Sequence, residues 1–352
     1  MSEAASGDSL AAIFRRLIAA TGPISVMQYM GEANARYYAS RDPLGAAGDF
    51  VTAPEISQMF GELIGLWLAD VWIRAGRPQP VHYVELGPGR GTLARDALQA
   101  AKRFGLEPTV HFVEASAALR DIQQRAVPGA TWHHDLATLP ADTPLLIVAN
   151  EFLDALPVRQ LVMTEGGWRE RMVAVNGERF FCVAGPEPMD AAVPEERRVA
   201  VTGTILEFCP GAAATIDELG RRLVEQGGAA LIIDYGHDAP RDGSSLQAVR
   251  SHQKVDPFTA PGEADLTAHV DFAALTPIAA ARGCKWLGTL TQGRWLREMG
   301  IEARAAALAA ASPGQAAAIN AAKDRLIGED QMGELFKVMG LAAPGWPTGA
   351  GF

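Results

Sequence analysis

The sequence predicts an α/β fold built on a mostly parallel sheet, and three observations carry that prediction. From residue 81 onward, short apolar runs alternate with helical segments, which is the pattern of successive βαβ units. A glycine-rich turn, "VELGPGRG" (84 to 91), joins the first apolar run to the first helical segment. In "LLIVANEFLDALP" (145 to 157), Leu145, Leu146, Ile147, Val148 and Ala149 form a buried-strand run that turns abruptly polar at its C-terminal end.

The elements follow in order. Leu10, Ile13, Phe14, Leu17 and Ile18 recur at helical spacing, and "TGP" at 21 to 23 places a proline where a second helix begins. After the loop "SRDPLGAAGDFV" (40 to 51), Thr52 and Glu55 have capping-box spacing with Pro54 in the first turn, so one long helix is expected from about 53 to Gly76. "VHYVELG", "TVHFVEAS", "LLIVANE" and "AALIIDYG" read as parallel strands, separated by "RGTLARDALQAAKRFG", "AALRDIQQRA" and "TIDELGRRLVEQGG" as helices. Between the third and fourth of these strands, "QLVMTEGGWRERMVAVNGERFFCVAG" carries the hairpin signals "EGG" and "NGE" and reads as a β insertion. "CKWLGTLTQG" and "GELFKVMGLA" supply the last two strands, with Ala-rich helices between them. The linear plan is an N-terminal helical region over 1–80, a core over 81–160, a β-rich insertion over 161–228 and the rest of the sheet over 229–352.

Composition narrows the function classes. The 352 residues carry 31 lysines and arginines against 41 acids, a formal charge of -10, which argues against a nucleic acid partner and suits a basic protein segment better. Cys182, Cys209 and Cys284 lie far apart with no CxxC, and no HxxH or HxxxH occurs, so neither a disulfide framework nor a metal site is expected. The opening "MSEAASGDSL" has no apolar core of a secretory signal and no arginine-rich transit character, and no uncharged stretch reaches the ~20 residues of a membrane span. These features point to a reducing, cytoplasmic setting without membrane insertion.

The glycine turn sharpens the ligand. Gly87, Pro88, Gly89 and Gly91 give GxGxG, whereas the dinucleotide fingerprint GxGxxG needs its third glycine at the position of Thr92. Glu85, two residues before the first glycine, would repel a pyrophosphate but can hold the ammonium of an amino-acid moiety, which favours S-adenosylmethionine over NAD. Glu114 ends the second strand, where a doubly wound sheet offers an acid to ribose hydroxyls. Asp135 and Leu136, in "HHDL", stand where an adenine would be received. Each has a plainer alternative: a tight turn, a solvated strand end, and a loop acid capping a turn.

Six ordered motifs then converge on one family. "YYASRDPLGAAGDFVTAPEISQMFGELIG", "VELGPGRGTL", "NEFLDALPV", "GGAALIIDYGHD", "PGEADLTAHVDF" and "MGELFKVM" together resemble the MidA-like S-adenosylmethionine-dependent methyltransferases, over about residues 20 to 340. The resemblance implies a class I methyltransferase fold with a seven-stranded sheet whose last strand is antiparallel, elaborated by an N-terminal helical region and insertions. It implies S-adenosylmethionine as cofactor, held in part by Gly87, Gly89 and Gly91. It also implies, as protein substrate, an arginine of the 49-kDa-type subunit of respiratory NADH dehydrogenase, and a part in assembling that complex.

An arginine nucleophile sets the demands on the site. Its pKa lies above about 12 and its lone pair is delocalised, so carboxylates that bind one side of the guanidinium can localise charge there and leave the other nitrogen to attack. Glu151 and Asp154 are the candidates for that clamp, with Asn150 orienting cofactor or substrate. His237 in "DYGHD" is a candidate proton acceptor, and Asp234 and Asp49 are candidates for closing the pocket. The alternatives are that Asp154 caps a turn ahead of Pro157, that Glu151 pairs with a surface arginine, that His237 is structural and that Asp49 sits in an ordinary turn. Two other functions compete: an assembly chaperone that binds cofactor without turnover, and an NAD-dependent oxidoreductase.

Overall fold

The computed structural model describes residues 8–40 and 51–352. The chain divides into two compact units, each assembled from separated stretches of sequence. One contains residues 51–154, 212–240 and 269–352; the other contains 8–40, 155–211 and 241–268. The segments expected from the linear plan are therefore interleaved: 1–80 is shared between the units, and 241–268 groups with the β insertion rather than with the sheet. Asp49 lies outside the described residues.

The first unit carries the large sheet. Its seven main strands are β1 (His82–Leu86), β2 (Thr109–Val113), β3 (Thr131–His133), β4 (Leu145–Asn150), β5 (Gly228–His237), β6 (Lys285–Thr291) and β7 (Phe336–Ala342). Their spatial order is β3-β2-β1-β4-β5-β7-β6, and β7 alone of these strands runs antiparallel to its neighbours. This is the seven-stranded arrangement with an antiparallel last strand that the family resemblance implies. A two-residue strand, Val270–Asp271, pairs with the end of β5.

Continuous apolar runs make these strands because both faces of a parallel sheet are covered by helices. Every residue of β1, β4 and β7 is buried, as is all of β5 except His237. On one face the helix Gln58–Arg74 packs against the helix Thr92–Lys102 at close range. A Cβ on Gly65 would stand 2.1 Å from the Ala97 carbonyl oxygen, so glycine there lets the two backbones meet. Trp67, Trp295 and the C-terminal Phe352 complete the same core through ring contacts.

The long helix expected from 53 to 76 is two helices, Ala53–Ile56 and Gln58–Arg74, divided at extended Ser57. Ser57 caps the second by accepting from the Met59 N–H. The Thr52 side chain does not cap the first of these, and the Glu55 carboxylate accepts from the Thr92 hydroxyl.

The second unit holds the N-terminal helices Leu10–Thr21 and Val26–Ser40 and the β insertion. Strands Arg159–Thr164, Gly167–Asn176 and Arg179–Pro188 are joined at the two predicted hairpins, and Ile205–Phe208 and Ile24–Ser25 extend the sheet. Phe14, Tyr29 and Phe180 form its aromatic centre. Among the described residues no helix is long and apolar enough to cross a membrane.

Candidate active site

Strand order fixes where a ligand can bind. In a sheet wound in two directions, the crevice opens beyond the C-terminal strand ends where the order reverses, here between β1 and β4. Parallel pairing sets Glu85 opposite Val148 and Ile233 opposite Asn150, so the polar exits of three adjacent strands lie side by side.

The glycine turn adopts the conformation its composition requires. Gly87, Gly89 and Gly91 have φ of 60, 54 and 77 degrees, a region that L side chains rarely occupy. A Cβ on Gly87 would also come within 2.9 Å of the Phe152 ring. Pro88 accepts the Gly91 N–H through its carbonyl, closing the turn at 2.7 Å before the helix Thr92–Lys102 begins. The backbone N–H groups of that helix start lie free of any side-chain cap.

Glu85 sits beneath this turn, 2% exposed, with the Tyr83 hydroxyl donating to it at 2.5 Å. Burial pushes its carboxyl up to about 8, only partly offset by that hydrogen bond. Glu114 follows β2. It accepts from the Ser116 N–H at 2.7 Å and from the Gln123 amide at 3.1 Å, while burial raises its pKa against those donors and the nearby Arg120. Asp135 is exposed and caps the short 3-10 turn that begins at Leu136, accepting from the Thr138 N–H at 3.2 Å. The plainer reading of Asp135 as a turn cap is thus realised; the same geometry holds Leu136 at the start of that turn.

The exit of β4 is built differently from a solvated loop. Glu151 has φ of 51 degrees, a left-handed conformation that disfavours a residue with a side chain by about 1–2 kcal/mol. Two anchors impose it. The Glu151 N–H donates to the Ile233 carbonyl at 2.9 Å, and one oxygen of Asp234 accepts from the N–H groups of Phe152, Leu153 and Asp154 at 3.1, 2.9 and 3.2 Å. The other Asp234 oxygen accepts from its neighbour Tyr235 at 2.9 Å. Asp234 is fully buried, and burial together with the Glu151 charge moves its carboxyl up to about 8. Beside its expected part in closing the pocket, Asp234 thus has a structural one, as acceptor for the backbone of the turn.

Glu151 itself is bound on one oxygen by two donors, the Ala53 N–H at 3.0 Å and the Asn150 amide at 3.1 Å. The second bond fixes the Asn150 carboxamide, whose Oδ1 is buried with no hydrogen-bond partner among the described residues. Asp154 is buried at the end of the same turn. His237 closes β5, with Nδ1 2.7 Å from the Ala239 carbonyl and 3.7 Å from Asp271. That carbonyl places the proton on Nδ1 and leaves Nε2 as the basic nitrogen.

Four participants were not among the expected site residues. Gln123, on the helix Ala117–Ala126, is fully buried and bridges Gly89 to Glu114. Ala53 reaches Glu151, and Glu55 reaches Thr92, so the four-residue helix Ala53–Ile56 touches both the glycine-loop helix and the β4 exit. Thr92 occupies the position at which a dinucleotide fold needs glycine, and uses its hydroxyl there.

These residues fit S-adenosylmethionine. The left-handed glycine turn lets a ligand approach the backbone, the acid after β2 retains acceptor capacity for ribose, and Asn150 Oδ1 is a buried acceptor with no donor among the described residues. Comparison with known proteins agrees. A family profile for S-adenosyl-L-methionine-dependent methyltransferases matches residues 63–290. The mitochondrial protein arginine methyltransferase NDUFAF7 of Rattus norvegicus is 37% identical over 365 residues, 92% of this chain and 82% of the relative. The Drosophila melanogaster homologue is 36% identical over 97% of this chain and 86% of its own length. A Burkholderia thailandensis protein solved with S-adenosyl-homocysteine superimposes with a TM-score of 0.80 at 29% identity, covering 95% of this chain and 91% of that one. The chain belongs to this family of S-adenosyl-L-methionine-dependent methyltransferases, and S-adenosylmethionine is its cofactor.

Proposed function

We propose that the chain methylates an arginine side chain of a protein, that this protein is the 49-kDa-type subunit of respiratory NADH dehydrogenase, and that the reaction serves assembly of that complex. The observation that carries the arginine reading is the Glu151 carboxylate, held on a left-handed β4 exit beside the glycine turn. Relatives named protein arginine methyltransferase, at 36–37% identity over most of the chain, support it. The wide spacing of Cys182, Cys209 and Cys284 in the sequence, without a CxxC pair, supports work in a reducing compartment such as a bacterial cytoplasm.

The cofactor when bound supplies an electrophilic methyl group on a sulfonium. Everything else falls to the chain. Glu85 and the Asn150 carboxamide oxygen meet the amino-acid end of the ligand, Glu114 its ribose, and the turn at Asp135 and Leu136 its base. Glu151, with Asp154, receives one edge of the guanidinium, draws its positive charge to that edge and leaves the remaining nitrogen to attack in line. Asp234 keeps the turn rigid while this happens, and Nε2 of His237 takes the proton released from the methylated nitrogen.

Labelled S-adenosylmethionine, the purified subunit and mapping of the label test the reading. Label on an arginine, lost in Glu151→Gln, is the expected result. Cofactor binding without label would replace catalysis with an assembly chaperone.

A further inference from the structure

Gln123 is used by none of the chemistry above, yet its side chain bonds both the glycine turn and the acid after β2. It sits on the helix Ala117–Ala126 at 0% exposure, which is unusual for a glutamine and requires its amide to be satisfied within the protein. Its Nε2 donates to the Gly89 carbonyl at 2.8 Å and to the Glu114 carboxylate at 3.1 Å. Its Oε1 accepts from the Trp132 indole N–H at 2.8 Å.

The direction of these bonds decides the role. An indole N–H can only donate, so Trp132 forces the amide oxygen toward itself and turns both Nε2 protons toward the cofactor side. There one proton holds the carbonyl of the central glycine and the other holds an acid. The amide thereby ties the β1 turn to the β2 exit, two elements joined otherwise through the Gly87 N–H and the Val113 carbonyl.

We infer that Gln123, with its orientation locked by Trp132, is a positioning residue that sets Gly89 and Glu114 as one rigid surface for S-adenosylmethionine. Glutamine suits the post for a physical reason. A carboxylate there would face Glu114 and the Gly89 carbonyl with three acceptors and no donor. Leucine or methionine would fill the space but leave a buried carbonyl and an acid unpaired, and unpaired buried polar groups distort their surroundings. Arg120, the nearby cation, is engaged with the Glu114 main-chain carbonyl and His134.

The inference rests on assigning Gly89 and Glu114 to the cofactor, and the experiment separates the two. Calorimetry with S-adenosyl-homocysteine is run on the full chain carrying Gln123→Met, Gln123→Glu, Trp132→Phe, Glu114→Ala or Gly89→Val. Gln123→Met is expected to weaken binding at least tenfold with the unfolding midpoint of the ligand-free protein changed far less. Gln123→Glu should lose more affinity relative to wild type at pH 8.5 than at pH 5.5, because at the lower pH a proton shared with Glu114 restores a donor. Trp132→Phe frees the amide to flip and should weaken binding severalfold, with no additional loss when combined with Gln123→Met. Wild-type affinity in Gln123→Met, or a Gln123→Glu deficit that ignores pH, would overturn the inference. Wild-type affinity in Glu114→Ala and Gly89→Val would instead overturn the site on which it rests. Should the Gln123 variants fail to fold, Trp132→Phe at wild-type affinity still refutes the locked amide.

Discussion

Cofactor binding should be strongly dependent on pH, and Glu85 should be the cause. In the ligand-free protein, burial holds this carboxyl protonated up to about pH 8, with only the Tyr83 hydroxyl working against it. The ammonium of the cofactor's amino-acid end favours the charged form, so binding has to expel the proton. At pH 6 that expulsion costs about 2.7 kcal/mol, two pH units at about 1.4 kcal/mol each, and at pH 7 about half as much. The dissociation constant for S-adenosyl-homocysteine should therefore fall about tenfold per pH unit between pH 6 and 8 and level off above. Calorimetry in buffers of different ionisation enthalpy should count about 0.9 proton released per ligand at pH 7. Glu85→Gln should bind at all pH values with about the affinity of wild type at pH 6, and release none. Proton release near zero in wild type, or an unchanged slope in Glu85→Gln, would refute the assignment.

Other outcomes follow from the same geometry. Gly89→Val should abolish detectable binding, because a β-branched residue is strained at φ of 54 degrees and fills space beside the ligand; calorimetry reads this directly. Glu151→Gln should bind S-adenosyl-homocysteine within about twofold of wild type yet slow single-turnover methyl transfer about a hundredfold, the range expected when a charge acting mainly in the transition state is removed. Asp234→Ala strips the acceptor from four backbone N–H groups and should lower stability by about 3 kcal/mol or more in urea titration. The acids raised by burial, Glu85 and Asp234, contribute stability that is complete below their unfolded values and lost as pH rises through about 8. Between pH 7 and 9 the ligand-free unfolding midpoint should fall, and saturating S-adenosyl-homocysteine should flatten that fall.

What the sequence disclosed depends on the range of the forces involved. β4 and β5 were legible because strands buried on both faces must be apolar throughout, and the hairpins because "EGG" and "NGE" act within a few residues. Glycine spacing was legible for the same reason. Thr52 and Glu55 have the spacing of a capping box, yet Glu55 binds Thr92, 37 residues away, since a partner brought in by packing outcompetes the local one. Gln123 lies in "AALRDIQQRA", which has the composition of a solvated helix; only the adjacency of β1, β2 and β3 buries it. His82, His111 and His133 have no metal-like spacing and still form a hydrogen-bonded row at 2.9 and 3.1 Å, because three neighbouring strands each contribute one. The interleaving of the two units escaped the linear reading, because it depends on packing between segments far apart in sequence, such as 8–40 with 155–211 and 241–268.

The two buried acids also show how a ligand-facing group can be told from a structural one. Glu85 and Asp234 lie near the C-terminal ends of strands of the same sheet, both are almost wholly buried, and burial pushes both carboxyls up. Their surroundings differ in the supply of donors. Asp234 receives four backbone N–H groups, which work against the burial and the Glu151 charge that together raise its carboxyl. A cation arriving there would compete with bonds already made. Among the described residues Glu85 receives a single phenolic hydroxyl, so its charged form has few donors to replace lost water. An ammonium group supplies both the charge and the protons that it lacks. On the proposed reading, the count of donors around each carboxylate separates their parts: the acid with four donors holds the turn that carries Glu151, and the acid with one meets the ammonium of the cofactor.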